Sequence, residues 1–484
     1  MQPDGVTHLD VRLVPAAVTA WAVTAASITW VVGPLLTAVC LAAGLGWAAA
    51  SRWRGAAWPA LRTAGVAVIG AAVVGAGFAL AAAMRSDAVR GHPIVQRFGS
   101  MASVTATPSE DPRPLGNGRL MFRATLAAVD GGEMSGRVVV FAPMPGYGEL
   151  MAGQPVRFKA RIARPTRRDL TVAVLNASGE PDVGEPAPIH RAARAVRARF
   201  GAVARDVLPA DQAAILPGLV LGDTSTVAPA TTAQFRTAGL THLTAVSGAN
   251  VTIVCGAVLL SARFVGPRAA VGLAAVALVV FVFVVQPTAS VLRAAVMGAI
   301  ALVAILSARR RQAVPVLAAT VLGLLVVAPQ LAVDAGFALS VCATAALVVL
   351  APGWSARLTA RGCPKPLADA LCIALAAQLA TAPLVAAISG QLSLIGVFAN
   401  IAVGVVIPPI TVLGTAAAAV CWVWAPGAGL LVRFTGPELW WLLHVAEYAA
   451  RVPGAAVPMP VAVAGVVTVG GVALTVLLAA RRRG

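Results

Sequence analysis

The sequence predicts a polytopic α-helical membrane protein of about 11 or 12 spans, with a small β-barrel domain of the OB type inserted near the N-terminus. Of the 484 residues, 59% are hydrophobic and only 12% are charged, whereas a soluble globular chain carries about 25% charged residues. The apolar runs repeatedly reach the ~20 residues that a spanning helix needs. Residues 85–188 differ, because they contain short β-like runs and no spanning segment. These observations predict a membrane protein with one inserted domain.

Residues 1–84 are predicted to form the N-terminal transmembrane helices. The apolar stretch 13–50 is long enough for two helices with a break near Gly33-Pro34, and a third span runs from about Trp58 to Met84. The first apolar region is far longer than the apolar core of a cleavable signal peptide. We therefore expect these helices to stay in the mature chain.

Residues 85–188 are predicted to form a soluble β domain. Turn residues such as Asp130-Gly131-Gly132 separate five β-like runs, which cover residues 102–107, 120–126, 136–141, 156–162 and 170–174. Five short strands in a segment of this length suit a small OB-type barrel or a sandwich. The run 156–162 alternates apolar and cationic residues, which is typical of a half-buried strand with a basic outer face.

A cluster of cations at this edge of the β domain is a candidate DNA-binding surface. Its members are Arg157, Lys159, Arg161, Arg164, Arg167 and Arg168. A basic surface, like the formal net charge of +18, suits phosphate polymers or anionic lipid. A solvated strand face and Arg-rich cytoplasmic loops would explain the same residues. Aromatic residues are few in this domain, so the usual base-stacking platform of single-strand binders has weak support.

The rest of the chain is predicted to be an amphipathic basic helix at residues 189–209, followed by a large transmembrane domain at residues 210–484. The helix would lie on the membrane surface or line a vestibule. In the large domain, the apolar run 392–424 is too long for one helix and contains Pro408-Pro409, which predicts a broken helix. Residues 433–451 are amphipathic and predicted to be interfacial, and a last apolar run covers residues 458–480.

The distribution of cations between the spans predicts the orientation. Cytoplasmic loops carry an excess of Lys and Arg. One threading places every cation-rich loop inside, if residues 392–424 count as two segments: the N-terminus is cytoplasmic and three helices lead out to the β domain. The β domain is therefore expected on the extracytoplasmic side of the membrane, where a permeant would first be met.

Polar residues are concentrated where the large domain begins, in residues 218–255. The candidates are Asp223, His242, Ser247, Gly248 and Asn250. Small polar residues inside an apolar run are tolerated where the site faces protein or a water-filled cavity, and they indicate a functional site by default. A helix-packing contact through Ser and Asn is the alternative.

Three later residues join this candidate site. Arg293 lies a few residues into a predicted span, where a guanidinium needs a partner or an aqueous pathway. It could pair with Asp334, which begins another helix, or it could meet phosphates. Asn400 marks a further helix break near the paired prolines.

Enzymatic chemistry is not predicted. Ser247, His242 and Asp223 supply the residue types of a triad. However, the sequence has no GxSxG elbow, and residues five apart on one helix do not face each other. The five His and six Cys show no metal-ligand spacing and the chain has no GxxxxGK[ST] motif, so neither a metal, another cofactor nor ATP is expected.

The chain resembles the ComEC family of competence proteins through a series of motifs in the same order. These are Gly218–Asp223, Gly239–Gly248, Arg293-Ala294, Asp334–Ser340 and Asn400. The family often has His where this chain has Asn250. Many relatives carry a C-terminal metallo-β-lactamase-like domain, whose HxHxDH motif is missing here, so a short form is expected.

The resemblance implies a channel that passes DNA, as a single strand, across the bacterial inner membrane. DNA bound without sequence preference and membrane lipid are the expected partners. A DNA receptor, a nuclease or a cytoplasmic motor would be separate polypeptides, and the oligomeric state is left open. A small-solute or lipid transporter with a structural β cap remains the alternative, because broken helices suit transporters equally well.

Overall fold

A computed structural model describes residues 10–53, 59–244, 248–285, 289–306 and 312–459. It divides into two compact units. The first comprises Met1–Ala195 and Ala318–Asp334, and the second comprises Val196–Leu317 and Ala335–Gly484. Ser247 and the predicted final span from residue 460 onward lie outside the described residues.

The first unit begins with three helices, α1 (Val14–Trp30), α2 (Gly33–Trp53) and α3 (Pro59–Arg90). The predicted break near Gly33-Pro34 is confirmed. Helix α3 does not end at the predicted limit of the span but continues to Arg90. Its last turns carry charged residues, and Arg90 Nη1 lies 3.2 Å from Asp87 Oδ1. An apolar run shows which part of a helix can lie in a membrane, but it does not show where the helix ends. Helix α3 therefore continues beyond the apolar run from which its end was predicted.

A later segment of the chain packs onto these helices. The end of α12 (Ala313–Val327) and the 3-10 helix Pro329–Val333 belong to the first unit. Trp21 Nε1 donates to the Ala332 carbonyl at 2.8 Å, and Arg85 Nη2 donates to the Val326 carbonyl at 3.2 Å. These bonds satisfy backbone oxygens that a helix end leaves without partners.

The inserted domain of the first unit is a closed β-barrel. Its strands are β1 (Met101–Pro108), β2 (Arg113–Gly116), β3 (Arg119–Val129), β4 (Gly132–Pro143), β5 (Val156–Ala163) and β6 (Ala173–Val183), with the short helix α4 (Met144–Tyr147) after β4. The pairing order is β1-β5-β6-β4-β3, and β1 also pairs with β3, which closes the ring. The five predicted strands are present. The predicted bounds of the last strand, 170–174, were wrong, and β2 was missed.

The barrel core is built by alternation along its strands. In β5, Val156, Phe158, Ala160 and Ile162 are buried while the residues between them are exposed, as predicted. A half-buried strand with a cationic outer face is therefore confirmed.

The turn between β3 and β4 has positive φ at Asp130 and Gly131, which suits the tight turn of a twisted hairpin.

The second unit is helical. Its helices are α6 (Ala210–Leu221), α7 (Pro229–Thr237), α8 (Thr241–Thr244), α9 (Gly248–Ser261), α10 (Pro267–Val285), α11 (Ala289–Leu306), α13 (Ala335–Val349), α14 (Ala351–Ala360), α15 (Lys365–Ser389), α16 (Gly396–Gly404), α17 (Ile407–Val420), α18 (Ala425–Phe434) and α19 (Gly436–Arg451). Two short strands, β7 (Gln391–Ser393) and β8 (Ala456–Pro458), pair antiparallel.

Five helical segments in the described ranges of the chain are long and apolar enough to cross a membrane. Helices α16 and α17 pass the same test together and are bent by 54° at their junction, which confirms the predicted broken helix. Further apolar helices are shorter than a full span. This set fits a multi-pass membrane protein, whereas the count of about 11 or 12 spans stays a prediction.

The amphipathic helix predicted at residues 189–209 is α5 (Pro188–Val207). In the second unit, Arg197 Nη1 donates to the Val284 carbonyl at 3.1 Å and Arg199 Nε donates to the Cys421 carbonyl at 2.6 Å. Both carbonyls lie at helix C-termini, where cations are stabilising. These two arginines therefore anchor helix ends.

Candidate functional site

The motif residues of the second unit meet at three helix contacts, and the first is built around Arg293. Its side chain is only 7% exposed. Arg293 Nε donates to Ser340 Oγ at 2.7 Å, and Nη1 donates to Met297 Sδ at 3.2 Å. Ser290 Oγ lies 3.2 Å from Ser340 Oγ. Helices α11 and α13 thus share a partly buried polar seam, which we call the Arg293 seam and which consists of Gly248, Ser290, Arg293 and Ser340.

Gly248 brings α9 into the Arg293 seam. A Cβ atom added at this glycine would lie 2.7 Å from Arg293 Nη2, closer than real Cβ contacts allow. A side chain of any size would therefore displace the guanidinium. This close approach explains why the chain needs glycine directly after Ser247.

Among the described residues of the second unit, no carboxylate forms an ion pair with the buried Arg293 guanidinium. The ion pairs formed by the described carboxylates of the second unit involve Lys365 and Arg451 instead. A buried charge without a counter-ion costs several kcal/mol, and such cations in membrane proteins mark polar pathways. Asp334 belongs to the first unit, so its predicted pairing with Arg293 stays a prediction.

The second contact joins α9 to α6. Asn250 is 5% exposed, and its Nδ2 donates to the Leu219 carbonyl at 2.8 Å. The carbonyls in the last turn of a helix have no partner within that helix, so Asn250 caps the C-terminus of α6. A cavity of about 10 Å³ lies beside it and is also lined by Ile407, Ile410 and Thr411, which is about the room that one water molecule needs.

The third contact involves Asn400, at the start of the bent helix pair. Asn400 Nδ2 donates to the Gly396 carbonyl at 2.7 Å and lies 3.5 Å from the Gly239 carbonyl. Gly239 has a φ of +73°, and an added Cβ would lie 3.0 Å from Gly396 Cα. Ser393 Oγ donates to the Thr237 carbonyl at 2.8 Å. The glycine before the His242 motif is thus fixed against the start of α16.

Asp223 and His242 do not form a catalytic pair in the described contacts. Asp223 Oδ1 accepts hydrogen bonds from the backbone N–H and the hydroxyl of Ser225, at 3.1 Å and 2.6 Å, which is a local turn motif. His242 lies on the short helix α8, and its side chain is exposed at the surface of the second unit.

The six predicted DNA-binding cations fall into two groups in the structure. Arg157, Lys159 and Arg161 are exposed in a row on β5. Of the others, the Arg164 guanidinium lies 5.6 Å from the Phe98 ring centroid, and Arg168 Nη1 donates to the Thr29 carbonyl at 2.8 Å. Arg167 is exposed. The row on β5 is the part of the predicted surface most available to a ligand.

Sequence reasoning missed the partners that fix these residues. Ser340 and Leu219 stood within the family motifs but were not selected as site residues, and Ser290 and Ser393 gave no signal of their own. Their roles depend on contacts between distant parts of the chain. Within the described residues, no three His, Cys, Asp or Glu side chains form a group that could hold a metal ion.

Comparison with known proteins gives one finding. The family described as Competence protein matches residues 219–484, which is more than half of the chain and includes all three helix contacts. Neither a curated protein nor a solved structure matches.

Proposed function

The chain belongs to the ComEC-type Competence protein family, and on that premise we propose that it forms a channel that carries single-stranded DNA across the bacterial inner membrane. The family supports involvement in DNA uptake. The observation that carries the channel proposal is the Arg293 seam. A buried guanidinium, lined by a glycine and two hydroxyl groups between three helices, supplies a cation for phosphates on a path through the unit.

The barrel supports capture of DNA before transport. Its strands run in the order β1-β3-β4-β6-β5 around the ring, with β4 and β6 parallel. We assign this five-stranded Greek-key barrel to the OB type, a fold that often binds oligonucleotides. The exposed row Arg157, Lys159 and Arg161 would attract the phosphate backbone without sequence preference. The predicted threading gives the barrel an extracytoplasmic location.

A small-solute or lipid transporter is the second candidate, and the bent pair α16–α17 favours it. Discontinuous helices line substrate sites in many transporters. The paired prolines Pro408-Pro409 lie at this bend, whereas Asn400, predicted to mark a helix break, lies inside α16 one turn before it. The two candidates require different paths. A DNA channel requires an open pore lined by Arg, whereas a transporter requires a closed substrate pocket near the midplane of the membrane.

Uptake of labelled DNA by cells carrying single substitutions tests the proposal. We expect Arg293→Gln to abolish uptake and Arg293→Lys to retain part of it, because lysine keeps the charge but loses the planar fork of donors. The exposed Arg263 provides a matched control, and Arg263→Gln should transport normally. Normal uptake by Arg293→Gln at wild-type protein levels would refute the role of the Arg293 seam.

The predicted motif residues give a second arm. His242→Ala and Ser247→Ala are measured in the same assay. If both variants transport DNA as well as wild type, His242 and Ser247 have no role in transport and the prediction of a functional site in residues 218–255 fails. Flux of small solutes into liposomes containing the full chain, without DNA transport, would favour the transporter instead.

A further inference from the structure

One aromatic ring of the β-barrel faces outward. Residues 101–183 contain four aromatic side chains, and three of them, Phe122, Tyr147 and Phe158, are at most 3% exposed in the barrel core. The fourth, Phe141 on β4, is partly exposed, while both of its neighbours along the strand are buried. Because successive side chains of a strand point to opposite faces of the sheet, the Phe141 ring lies on the outer wall.

Strand register places an amide and a cation on one side of this ring. In the parallel pairing of β4 with β6, Phe141 is the partner of Asn176. Asn176 is in turn the partner of the exposed Arg161 on β5. Register partners lie on the same face and neighbouring strands are about 4.8 Å apart, so Arg161 is about 10 Å from Phe141 along the wall.

The other side of the ring is bordered by β3. Met121 is the register partner of Phe141, and Arg119 and Arg123 are its diagonal neighbours, at a separation that long side chains can bridge. Arg123 Nη1 lies 3.7 Å from Glu110 Oε2, whereas Arg119 is exposed. We call this set the Phe141 row, and it consists of Arg119, Met121, Phe141, Asn176 and Arg161.

The Phe141 row combines the two kinds of contact that hold a single strand of nucleic acid. Bases stack on aromatic rings, and phosphates lie against cations. Here one ring lies between two exposed cations on different strands, Arg119 and Arg161. These cations can hold the phosphates on either side of a base that lies on the ring. A duplex keeps its bases stacked on each other, so this arrangement suits an unpaired base.

We propose that Phe141 is a base-stacking residue through which the barrel selects single-stranded DNA. The site rests on the proposed capture of DNA by the barrel and adds a preference to it. The cations on β5 attract any phosphate polymer, whereas stacking on Phe141 requires an exposed base. The Asn176 amide, which carries both donors and an acceptor, lies beside the ring and can bond to the edge of that base.

An abasic strand, which has the phosphates of DNA but no bases, tests the site. The detergent-solubilised full chain is titrated into a labelled single-stranded oligonucleotide or an abasic strand of the same length, and binding is followed by fluorescence anisotropy. We expect wild type to bind the strand with bases on the order of tenfold more tightly, which is within the range for stacking of one base. Phe141→Leu should lose this preference, and Phe141→Tyr should keep it.

Two readouts separate stacking from charge and from folding. Phe141→Leu removes no charge, so its affinity for the abasic strand and its dependence on salt should equal those of wild type. Phe98→Leu is the matched control, because the partly exposed Phe98 ring already has the Arg164 guanidinium 5.6 Å from its centroid. It should keep the wild-type preference.

The outcomes distinguish this site from the capture on which it rests. Equal affinity of wild type for the two strands would overturn stacking on Phe141 and leave capture through phosphates in place. A preference that survives Phe141→Leu, or that Phe98→Leu reduces equally, would also overturn the site. If wild type bound neither strand, both the site and capture by the barrel would be refuted.

Discussion

The basic row on β5 permits a quantitative test of DNA capture. The perturbation is simultaneous replacement of Arg157, Lys159 and Arg161 by Gln in the full chain. The three side chains point outward from a strand whose alternate residues fill the barrel core, so their removal leaves the core intact. Strand geometry sets alternate residues ~7 Å apart, which allows the three cations to meet separate phosphates.

The expected magnitude follows from counter-ion release. On single strands, each neutralised phosphate contributes about 0.7 to the slope of the logarithm of affinity against the logarithm of salt concentration. Three lost contacts therefore lower the slope by about 2. Between about 50 and about 200 mM salt, wild type should lose on the order of 20-fold more affinity than the variant. Asp182 is the register partner of Arg157, so three is an upper value for the number of contacts.

The assay is fluorescence anisotropy of a labelled single-stranded oligonucleotide with the detergent-solubilised chain at a series of salt concentrations. The matched control replaces Arg90, Arg97 and Arg113 by Gln. Each of these is ion-paired with a carboxylate of the first unit, so the control removes the same formal charge and should change the slope little. An unchanged slope in the β5 variant, or equal changes in both variants, would refute capture by this row.

Three further predictions concern stability. Gly248→Ala should lower the free energy of unfolding by about 1–3 kcal/mol, because the added methyl group overpacks against Arg293. Gly256→Ala is the control, since a Cβ at that position meets no atom within 4 Å, and equal melting temperatures of the two variants would contradict the close contact. Asn250→Ala leaves the Leu219 carbonyl without its donor and should cost about 1–3 kcal/mol, again read by thermal unfolding, with the exposed Thr252→Ala as control. Tyr147 is buried, its hydroxyl has no partner in the described part of the chain, and burial raises its pKa to about 12. Tyr147→Phe should therefore increase hydrogen-exchange protection of the barrel by about 1 kcal/mol; reduced protection would reveal a bond to that hydroxyl.

The sequence predicted most elements whose pattern is local. Alternation in residues 156–162 predicted which of these side chains in β5 are buried and which are exposed, and Pro408-Pro409 predicted the break before α17. The errors occur where local signals conflict. Strand β6 contains Gly179 and Pro181, which are turn formers. They lie in an irregularity of the β5–β6 pairing, where Gly179 has a φ of +75°, and the pairing resumes at Asp182. Strand β2 has only four residues and includes Pro114, too little for a periodic signal.

The candidate site was predictable as a set of residues but not as a set of contacts. Polar residues in apolar runs drew attention to Asn250 and Arg293, and both proved to be buried. Their partners Leu219 and Ser340 lie 31 and 47 residues away, and no periodicity in a single sequence encodes such a distance. Asn250 illustrates the difference, since a residue selected as part of a functional site donates to the last turn of a neighbouring helix.

Closure of the barrel also limits how other proteins can engage it. An open sheet presents unpaired N–H and C=O groups on which a foreign strand can assemble. In the described barrel, β1 is bonded on both sides and the ring has no terminal strand. Only β2 stands at an end of the sheet order, and its four residues and proline make it a poor template. Strands β4 and β6 pair with each other over only four residues, so the edges left open beside that pairing are short. A receptor or a second chain is therefore expected to recognise mainly the side chains on the barrel wall, and the domain can remain at high local density without joining its neighbours into a continuous sheet.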